Sequence, residues 1–301
     1  MPQADPIIVL GAGAIGSVYA AKLSARHPVT VVARPDHVAA IRADGLRLIG
    51  RETVTARVDA VTQVESIAPR TIILLTTKVN ASEAALRPMA GLIREDTVIL
   101  CVQNGLNSEG IARRAVGGRG LVLRAITQFG AIFQAPGIIN YTSSGYTLLE
   151  DGPRSADIAA LLTACGLDGR ISPDIKTEIW RKLIYNCVIN PITSITGTEV
   201  GGIADPGLHP LKQLVIDECL AVARTEGVEF TIDFLSAITD IFGASRTIAS
   251  MRQDLMRGRP TEIDHMNGAV VEVGRRAGVA CPVNGALVAI IKAMDRCTMT
   301  S

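Results

Sequence analysis

The sequence predicts an α/β fold in which a parallel sheet covered by helices is followed by an all-helical domain. Short apolar runs alternate with helical segments over the first half of the chain, a pattern typical of parallel strands joined by crossover helices. Beyond about residue 170 strand signals nearly vanish and helical periodicity continues to the end. We therefore predict two domains, covering residues 1–170 and 171–301.

The strands of the first domain are predicted from apolar runs with the length and composition of buried strands. These runs are Ile7–Leu10, Val29–Ala33, Thr53–Val58, Thr71–Thr76 and Thr97–Val102. Helices are predicted between and after them at Ile15–Ala25, Pro35–Asp44, Ala81–Leu92 and Ser155–Cys165. Two long strands, Leu121–Phe133 and Ile138–Leu149, are predicted to form an antiparallel extension of the sheet through a turn at 134–137.

The second domain is predicted to be helical throughout. Its helices are predicted at Ile175–Ile189, Leu208–Glu226, Ile232–Phe242, Ala269–Ala277 and Asn284–Met294. Proline lacks an N–H donor and disfavours helical backbone at the residue before it, so Asn190-Pro191 predicts a kink or break at the end of the first of them.

The composition excludes several classes of partner. The chain has 301 residues, of which 48% are hydrophobic, and a net charge of +1, whereas nucleic acid or an anionic membrane surface usually requires a strong basic excess. No apolar run reaches the roughly 20 residues of a bilayer span, and the N-terminus lacks the features of a signal peptide. Six scattered cysteines without a C-x-x-C pair predict neither a metal site nor a disulfide framework, and indicate the cytoplasm.

The first functional motif is Gly11-Ala12-Gly13-Ala14-Ile15-Gly16, a G-x-G-x-x-G loop between a predicted strand and a predicted helix. The first glycine permits a tight turn, the second allows the backbone to approach a pyrophosphate, and the third allows helix and strand to pack closely. A helix N-terminus at this place offers free N–H groups to phosphates. The loop therefore predicts a dinucleotide site.

The residues after the second strand indicate which dinucleotide binds. An NAD site usually has an acidic residue there, whereas this chain has Arg34, which suits the 2′-phosphate of NADP, with His37 as a possible helper. Asp36 leaves NAD open, because a small shift of the loop would present it instead. Two later strands end before Lys78 and Asn104. Lys78 would approach the cofactor phosphates or the ribose, or else is a solvated loop lysine. Asn104 would bind substrate or nicotinamide, or else is a turn asparagine.

The first helix of the second domain has a polar stripe on an otherwise apolar surface. Lys182, Asn186 and Asn190 are spaced i, i+4, i+8 and so share one face. Buried amides and amines are costly without partners, so the stripe is either a structural network or a ligand site. Ser250 begins a second polar constellation, and Glu262 could act either in the site or as a helix-capping acid.

The chain resembles the ketopantoate reductase family over essentially its whole length. The resemblance rests on the glycine loop, on Gln103-Asn104-Gly105, on the stretch from Lys182 to Pro191, and on Thr261-Glu262-Ile263-Asp264 with Asn267-Gly268. It implies an N-terminal Rossmann domain and a C-terminal helical domain with the active site between them. It also implies NADPH-dependent reduction of 2-dehydropantoate to (R)-pantoate, a step toward pantothenate and coenzyme A.

The resemblance also implies roles for individual residues. Lys182 matches the catalytic lysine and Glu262 the active-site glutamate. Asn104, Asn186, Asn190 and Ser250 match substrate-contacting positions or their neighbours, and Arg34 and Lys78 match positions at the adenosine phosphate end of NADPH. The departures are Val79-Asn80 after Lys78 and the segment 106–109 after Gly105. They leave open another small 2-oxo acid as substrate.

The sequence leaves open a non-catalytic role and the oligomeric state. A sensor that binds NADPH without chemistry is disfavoured by the intact Lys182, Asn186 and Glu262. The apolar helical half would also suit a homodimer.

Overall fold

A computed structural model of the chain, which describes residues 4–299, confirms the predicted α/β class with a helical C-terminal region. The contacts divide the chain into two compact units. The first comprises the chain up to Gln103 together with Asn107–Ile175, and the second comprises Asn104–Leu106 together with the chain from Lys176 onward. The short segment Asn104–Leu106 thus leaves the first unit and belongs to the second.

The first unit holds two sheets. Within the described residues its strands are β1 (Ile7–Leu10), β2 (Val29–Val32), β3 (Leu46–Gly50), β4 (Val54–Ala56), β5 (Asp59–Val61), β6 (Ile72–Leu75), β7 (Val98–Cys101), β8 (Leu121–Thr127), β9 (Gly130–Ala135), β10 (Ile138–Ser143), β11 (Thr147–Glu150) and β12 (Gly169–Ser172). The large sheet has the order β12-β11-β8-β7-β6-β1-β2-β5, and the small one has the order β4-β3-β10-β9.

The large sheet positions the cofactor site through its parallel part. Strands β5, β2, β1, β6, β7 and β8 run parallel to one another, so their carboxyl ends lie at one edge. This is the strand order of a Rossmann domain. The chain proceeds from β1 to β2 on one side and later returns to β6 on the other, and ligands bind in the crevice outside the strands at such a switch point. The glycine loop follows β1 at this point.

The two predicted long strands each form two strands that belong to different sheets. Residues 121–127 and 147–150 pair antiparallel within the large sheet, whereas 130–135 and 138–143 form a hairpin in the small one. Two glycines permit the bend because a Cβ at Gly145 would lie 2.5 Å from the carbonyl oxygen of Gln128, and one at Gly130 would lie 2.6 Å from Oγ of Ser143. The antiparallel pairing and the turn are therefore confirmed, whereas the expectation of two unbroken strands in one sheet is wrong.

Helices cover the sheets of the first unit. They are α1 (Ala14–Leu23), α2 (Pro35–Asp44), α3 (Ser82–Leu86), α4 (Ser108–Ala115) and α5 (Ser155–Ala164), and 3₁₀ turns at Val79–Ala81 and Arg87–Leu92 flank α3. Buried Tyr19 of α1 fixes the strands where they change sheet, since its hydroxyl lies 2.7 Å from Oγ1 of both Thr127 and Thr147. Burial raises the pKa of this hydroxyl to about 12, so it stays protonated.

The second unit is helical. Its helices are α6 (Ile175–Thr196), α7 (His209–Thr225), α8 (Phe234–Phe242), α9 (Ser250–Met256), α10 (Asn267–Ala277) and α11 (Pro282–Met299). One face of α6 forms the centre of its core, where Trp180, Ile184 and Val188 are buried. The face that carries Lys182 and Asn186 is only half-buried.

Helix α6 continues through Pro191 to Thr196, so the break expected at Asn190 and the helix end expected at Ile189 are wrong. Pro191 has no N–H to donate to the carbonyl of Cys187, four residues earlier. The side-chain amide of Asn267 replaces that donor, with its Nδ2 2.9 Å from the oxygen of Cys187. Asn267 is fully buried and also donates to Oδ1 of Asn284. A side chain remote in sequence therefore supplies the hydrogen bond that proline removes.

Replacement of Asn267 by leucine is expected to lower the free energy of unfolding by about 1–3 kcal/mol, because the carbonyl of Cys187 becomes buried and unpaired. Urea unfolding measures the change. In a Pro191→Ala background the new N–H of residue 191 can serve that carbonyl, so Asn267→Leu should cost clearly less there. An equal cost in both backgrounds would contradict this account of the helix.

Candidate active site

The glycine loop has the geometry that a dinucleotide requires. Gly11 has a φ of +100°, and a Cβ there would lie 2.6 Å from the backbone nitrogen of Thr77. A Cβ at Gly16 would lie 2.5 Å from Oγ1 of Thr76 and 2.6 Å from the carbonyl oxygen of Gly11. At Gly13, by contrast, a Cβ would meet nothing within 4 Å. The outer two glycines therefore fix the loop against the strands, and the middle one leaves its surface open.

The helix that follows the loop begins without a side-chain cap at Gly13. The N–H groups of Ala14, Ile15 and Gly16 lie in its first turn, where no intrahelical acceptor exists. These donors and the positive end of the helix dipole fit a pyrophosphate. The open surface at Gly13 leaves room for it, so the loop fits a dinucleotide cofactor.

The structure places Arg34 and Asp36 together at the end of β2. Arg34 is the exposed N-cap residue of α2, and Asp36 is exposed in the first turn of the same helix. His37, by contrast, is not exposed beside them. It is buried, with its Nδ1 accepting from the backbone N–H of Gly137 at 2.9 Å and its Nε2 3.4 Å from Oγ of Ser17. Burial also lowers the pKa of His37, which favours the neutral ring, so its expected help to a phosphate is wrong.

Strand β6 leads to Lys78 at the same edge of the sheet. Lys78 is half-buried and precedes a 3₁₀ turn, and its neighbours Thr76 and Thr77 are the residues against which Gly16 and Gly11 pack. Gln103, after β7, holds this loop, since its Nε2 lies 2.7 Å from the carbonyl oxygen of Thr77 and 2.6 Å from Oγ of Ser82. The glycine loop and the segment before Lys78 are thus packed together as one surface.

The polar stripe of α6 forms as its spacing predicts. Lys182 and Asn186 are half-buried and Asn190 is 6% exposed. Asn190 donates from Nδ2 to the sulfur of Met266 at 3.3 Å. The Nδ2 of Asn186 is buried and has no hydrogen-bond partner among the described residues. An unpaired buried donor costs about 1–3 kcal/mol, so this amide is suited to bind a ligand oxygen.

Residues 261–267, termed here the 261–267 segment, bring Glu262 to α6. Oγ1 of Thr261 donates to Asp295 at 2.8 Å, and Nζ of Lys292 donates to Asp264 at 2.9 Å, which ties the segment to α11. Met266 and Asn267 tie its other end to α6 through Asn190 and the carbonyl of Cys187. Half-buried Glu262 stands between these anchors, as the N-cap residue of a 3₁₀ turn. Its side chain makes no cap hydrogen bond there, which argues against the helix-capping role.

Asn104 belongs to the second unit, and its neighbours Gly105 and Leu106 pack against that unit. Gly105 has a φ of +82°, and any side chain there would collide with the carbonyl oxygen of His265 in the 261–267 segment. Leu106 packs into the helical core. Half-buried Asn104 therefore adjoins a backbone fixed against the segment that carries Glu262. Ser250 is exposed at the first residue of α9, and its contact with substrate stays a prediction.

The sequence does not predict the roles of Thr261, Met266 and Asn267, which hold the segment in place. Their contact partners lie far along the chain, so no local pattern reveals them.

In the described part of the chain, no cluster of three or more His, Cys, Asp or Glu residues could hold a metal ion. Within residues 4–299, no helix combines the length and apolar character that crossing a bilayer demands.

Two family models match the chain. The model described as ketopantoate reductase PanE/ApbA matches residues 7–154, and the model of its C-terminal domain matches residues 174–295. The chain belongs to the ketopantoate reductase family. It is therefore an oxidoreductase of that family.

Named relatives agree with this assignment. The chain is 31% identical to 2-dehydropantoate 2-reductase of Pyrococcus abyssi, with 96% of this chain and 97% of the relative covered. It is 33% identical to the enzyme of the same name from Mesorhizobium japonicum, over 95% and 96% of the two chains.

Solved structures extend the comparison to a second substrate. A PanE/ApbA family ketopantoate reductase from Ralstonia eutropha is 30% identical with a TM-score of 0.90, covering 97% of this chain and 99% of that one. D-mandelate dehydrogenase, solved with NADH and anilino(oxo)acetate, is 28% identical with a TM-score of 0.91 and the same coverage.

Proposed function

We propose that this protein reduces 2-dehydropantoate to (R)-pantoate with NADPH, in the cytoplasm, as a step of pantothenate synthesis. The observation that carries the proposal is the polar face of α6, on which Lys182, Asn186 and Asn190 lie together and to which Met266 ties the segment holding Glu262. The relatives named 2-dehydropantoate 2-reductase at about 30% identity support the substrate. Exposed Arg34 at the end of β2 supports NADPH.

In this proposal a bound reduced nicotinamide supplies a hydride to the carbonyl carbon of the substrate. Negative charge then develops on the carbonyl oxygen and requires a donor. Lys182 polarises that oxygen and gives it a proton from Nζ. Asn186 donates from its unpaired Nδ2 to the substrate, and Glu262 orients Lys182 or accepts from the substrate hydroxyl.

A related reductase of another small 2-oxo acid is the second candidate. It is favoured by the likeness to D-mandelate dehydrogenase, whose structure was solved with NADH and an oxo acid compound. The same lysine chemistry serves any 2-oxo acid, because the charge develops on the same oxygen. The two candidates therefore differ in substrate and cofactor and not in mechanism.

A substrate panel distinguishes the candidates. NADPH and NADH oxidation by the purified protein is followed by absorbance with 2-dehydropantoate, benzoylformate and other 2-oxo acids. We expect the highest kcat/KM with 2-dehydropantoate and NADPH. A higher value with an aromatic 2-oxo acid and NADH would favour the second candidate, and NADPH binding without turnover of any acid would contradict both.

Arg34→Ala is expected to raise the KM for NADPH by about 10–100-fold and to leave the KM for NADH nearly unchanged. The reason is that a charge-assisted hydrogen bond to a phosphate contributes about 1.5–3 kcal/mol. Asp36→Asn is the matched control two residues away. It should leave NADPH unchanged or improve it slightly. If Asp36→Asn instead weakens NADH while Arg34→Ala has no effect, the chain uses NAD.

A further inference from the structure

Arg124 on β8 is a buried arginine that the proposed chemistry does not use. It lies opposite Cys101, the last residue of β7, and its side chain is 3% exposed. A buried guanidinium is costly unless it is paired and its donors are satisfied. The contacts of Arg124 therefore show which part of the backbone this buried guanidinium holds in place.

Those contacts fix the backbone where β7 ends. Nη1 of Arg124 donates to the carbonyl oxygens of Cys101 at 2.8 Å and Ala125 at 2.7 Å, and Nη2 donates to that of Gln103 at 2.6 Å. The carbonyl of Gln103 lies beyond the end of the strand. The next residue along the chain is Asn104, so the guanidinium fixes the backbone directly before it.

The opposing charge comes from the far side of the same loop. Oε2 of Glu109 lies 3.6 Å from Nε of Arg124. Glu109 lies in the first turn of α4, where the helix dipole also favours a carboxylate. On the other side, the backbone N–H of Arg124 donates to Glu150 at 3.0 Å. Arg124 thus links Gln103, directly before the segment 104–107, to Glu109, two residues after it.

We infer that Arg124 is a positioning residue that sets where Asn104 stands, by clamping both ends of the segment that carries it. The inference rests on the proposed function, together with the sequence-based prediction that Asn104 contacts substrate or nicotinamide. A planar guanidinium can donate to carbonyls on two strands and face a carboxylate at once, whereas the single ammonium of lysine cannot match this arrangement. Arg124 itself touches neither substrate nor cofactor in this account.

A double-mutant cycle on kcat tests the inference with four proteins: wild type, Arg124→Met, Asn104→Ala and the double variant. Each single variant is expected to lose about 10–100-fold in kcat, and the double variant should be no worse than Asn104→Ala within about threefold, because groups that act through one another are not additive. Arg124→Lys should recover little. Arg113→Met removes an exposed arginine of α4 and should keep wild-type turnover.

Each result of the cycle has a definite meaning. The inference would be overturned if the losses in kcat multiply in the double variant, or if Asn104→Ala leaves kcat unchanged. Turnover by the wild-type protein would still support the proposed function in either case. A wild type that reduces no 2-oxo acid would remove the proposed function and the inference with it. If Arg124→Met does not fold, Glu109→Gln enters the same cycle. It keeps the shape and removes the opposing charge, and its smaller loss must likewise disappear in the Asn104→Ala background.

Discussion

Replacement of Lys182 by methionine is expected to lower kcat by about 10²–10⁴-fold, or about 3–5 kcal/mol of transition-state stabilisation. Methionine keeps most of the length and the apolar character of the stem and removes the charge and the proton. The carbonyl oxygen then develops its charge without the donor proposed to meet it. KM should change much less, because the interaction is strongest in the transition state and not in the ground state.

Two further variants serve as controls for this prediction. Lys182→Arg keeps a positive charge that does not release its proton near neutral pH, so it should recover part of the electrostatic contribution and none of the proton transfer. Lys176→Met removes an exposed lysine of the same helix that pairs with Glu226, and should keep full activity. The quantities compared are kcat, KM and the thermal midpoint. Near-wild-type turnover in Lys182→Met with an unchanged midpoint would exclude lysine from the chemistry.

The sequence predicted the parts of the fold that are encoded locally. Strands β1, β6 and β7 are apolar runs buried on both faces, and the glycine loop follows the first of them. The stripe of Lys182, Asn186 and Asn190 needs only the period of a helix, which α6 supplies. Each of these features is encoded by residues that lie close together in the sequence.

The features that the sequence did not predict depend on distant residues. Strand β5 has three residues, one of them a charged aspartate, and forms through parallel pairing with β2. The helix continues past Pro191 because Asn267, 76 positions later, supplies the missing donor. His37 has the chemistry of a phosphate ligand, yet its ring is held inward by the N–H of Gly137. In each case a tertiary hydrogen bond outweighs the local preference.

Gly13→Ala and Gly16→Ala are expected to separate cofactor binding from folding within one loop. A Cβ at Gly13 meets nothing within 4 Å of the protein, so the free energy of unfolding should change by no more than about 1 kcal/mol. That Cβ would fill the surface where the pyrophosphate approaches. We expect the Kd for NADPH to rise by about 10–100-fold, the equivalent of one lost charge-assisted hydrogen bond of about 1.5–3 kcal/mol.

Gly16→Ala should show the opposite pattern. Its Cβ would lie 2.6 Å from the carbonyl oxygen of Gly11 and 3.0 Å from a methyl group of Val9, so helix α1 must move away from the sheet. Overpacking of this kind costs about 1–3 kcal/mol of folding free energy. Urea unfolding without cofactor and fluorescence titration with NADPH measure the two quantities separately. Destabilisation by Gly13→Ala with unchanged affinity for NADPH would mean that the open surface at Gly13 does not receive the cofactor.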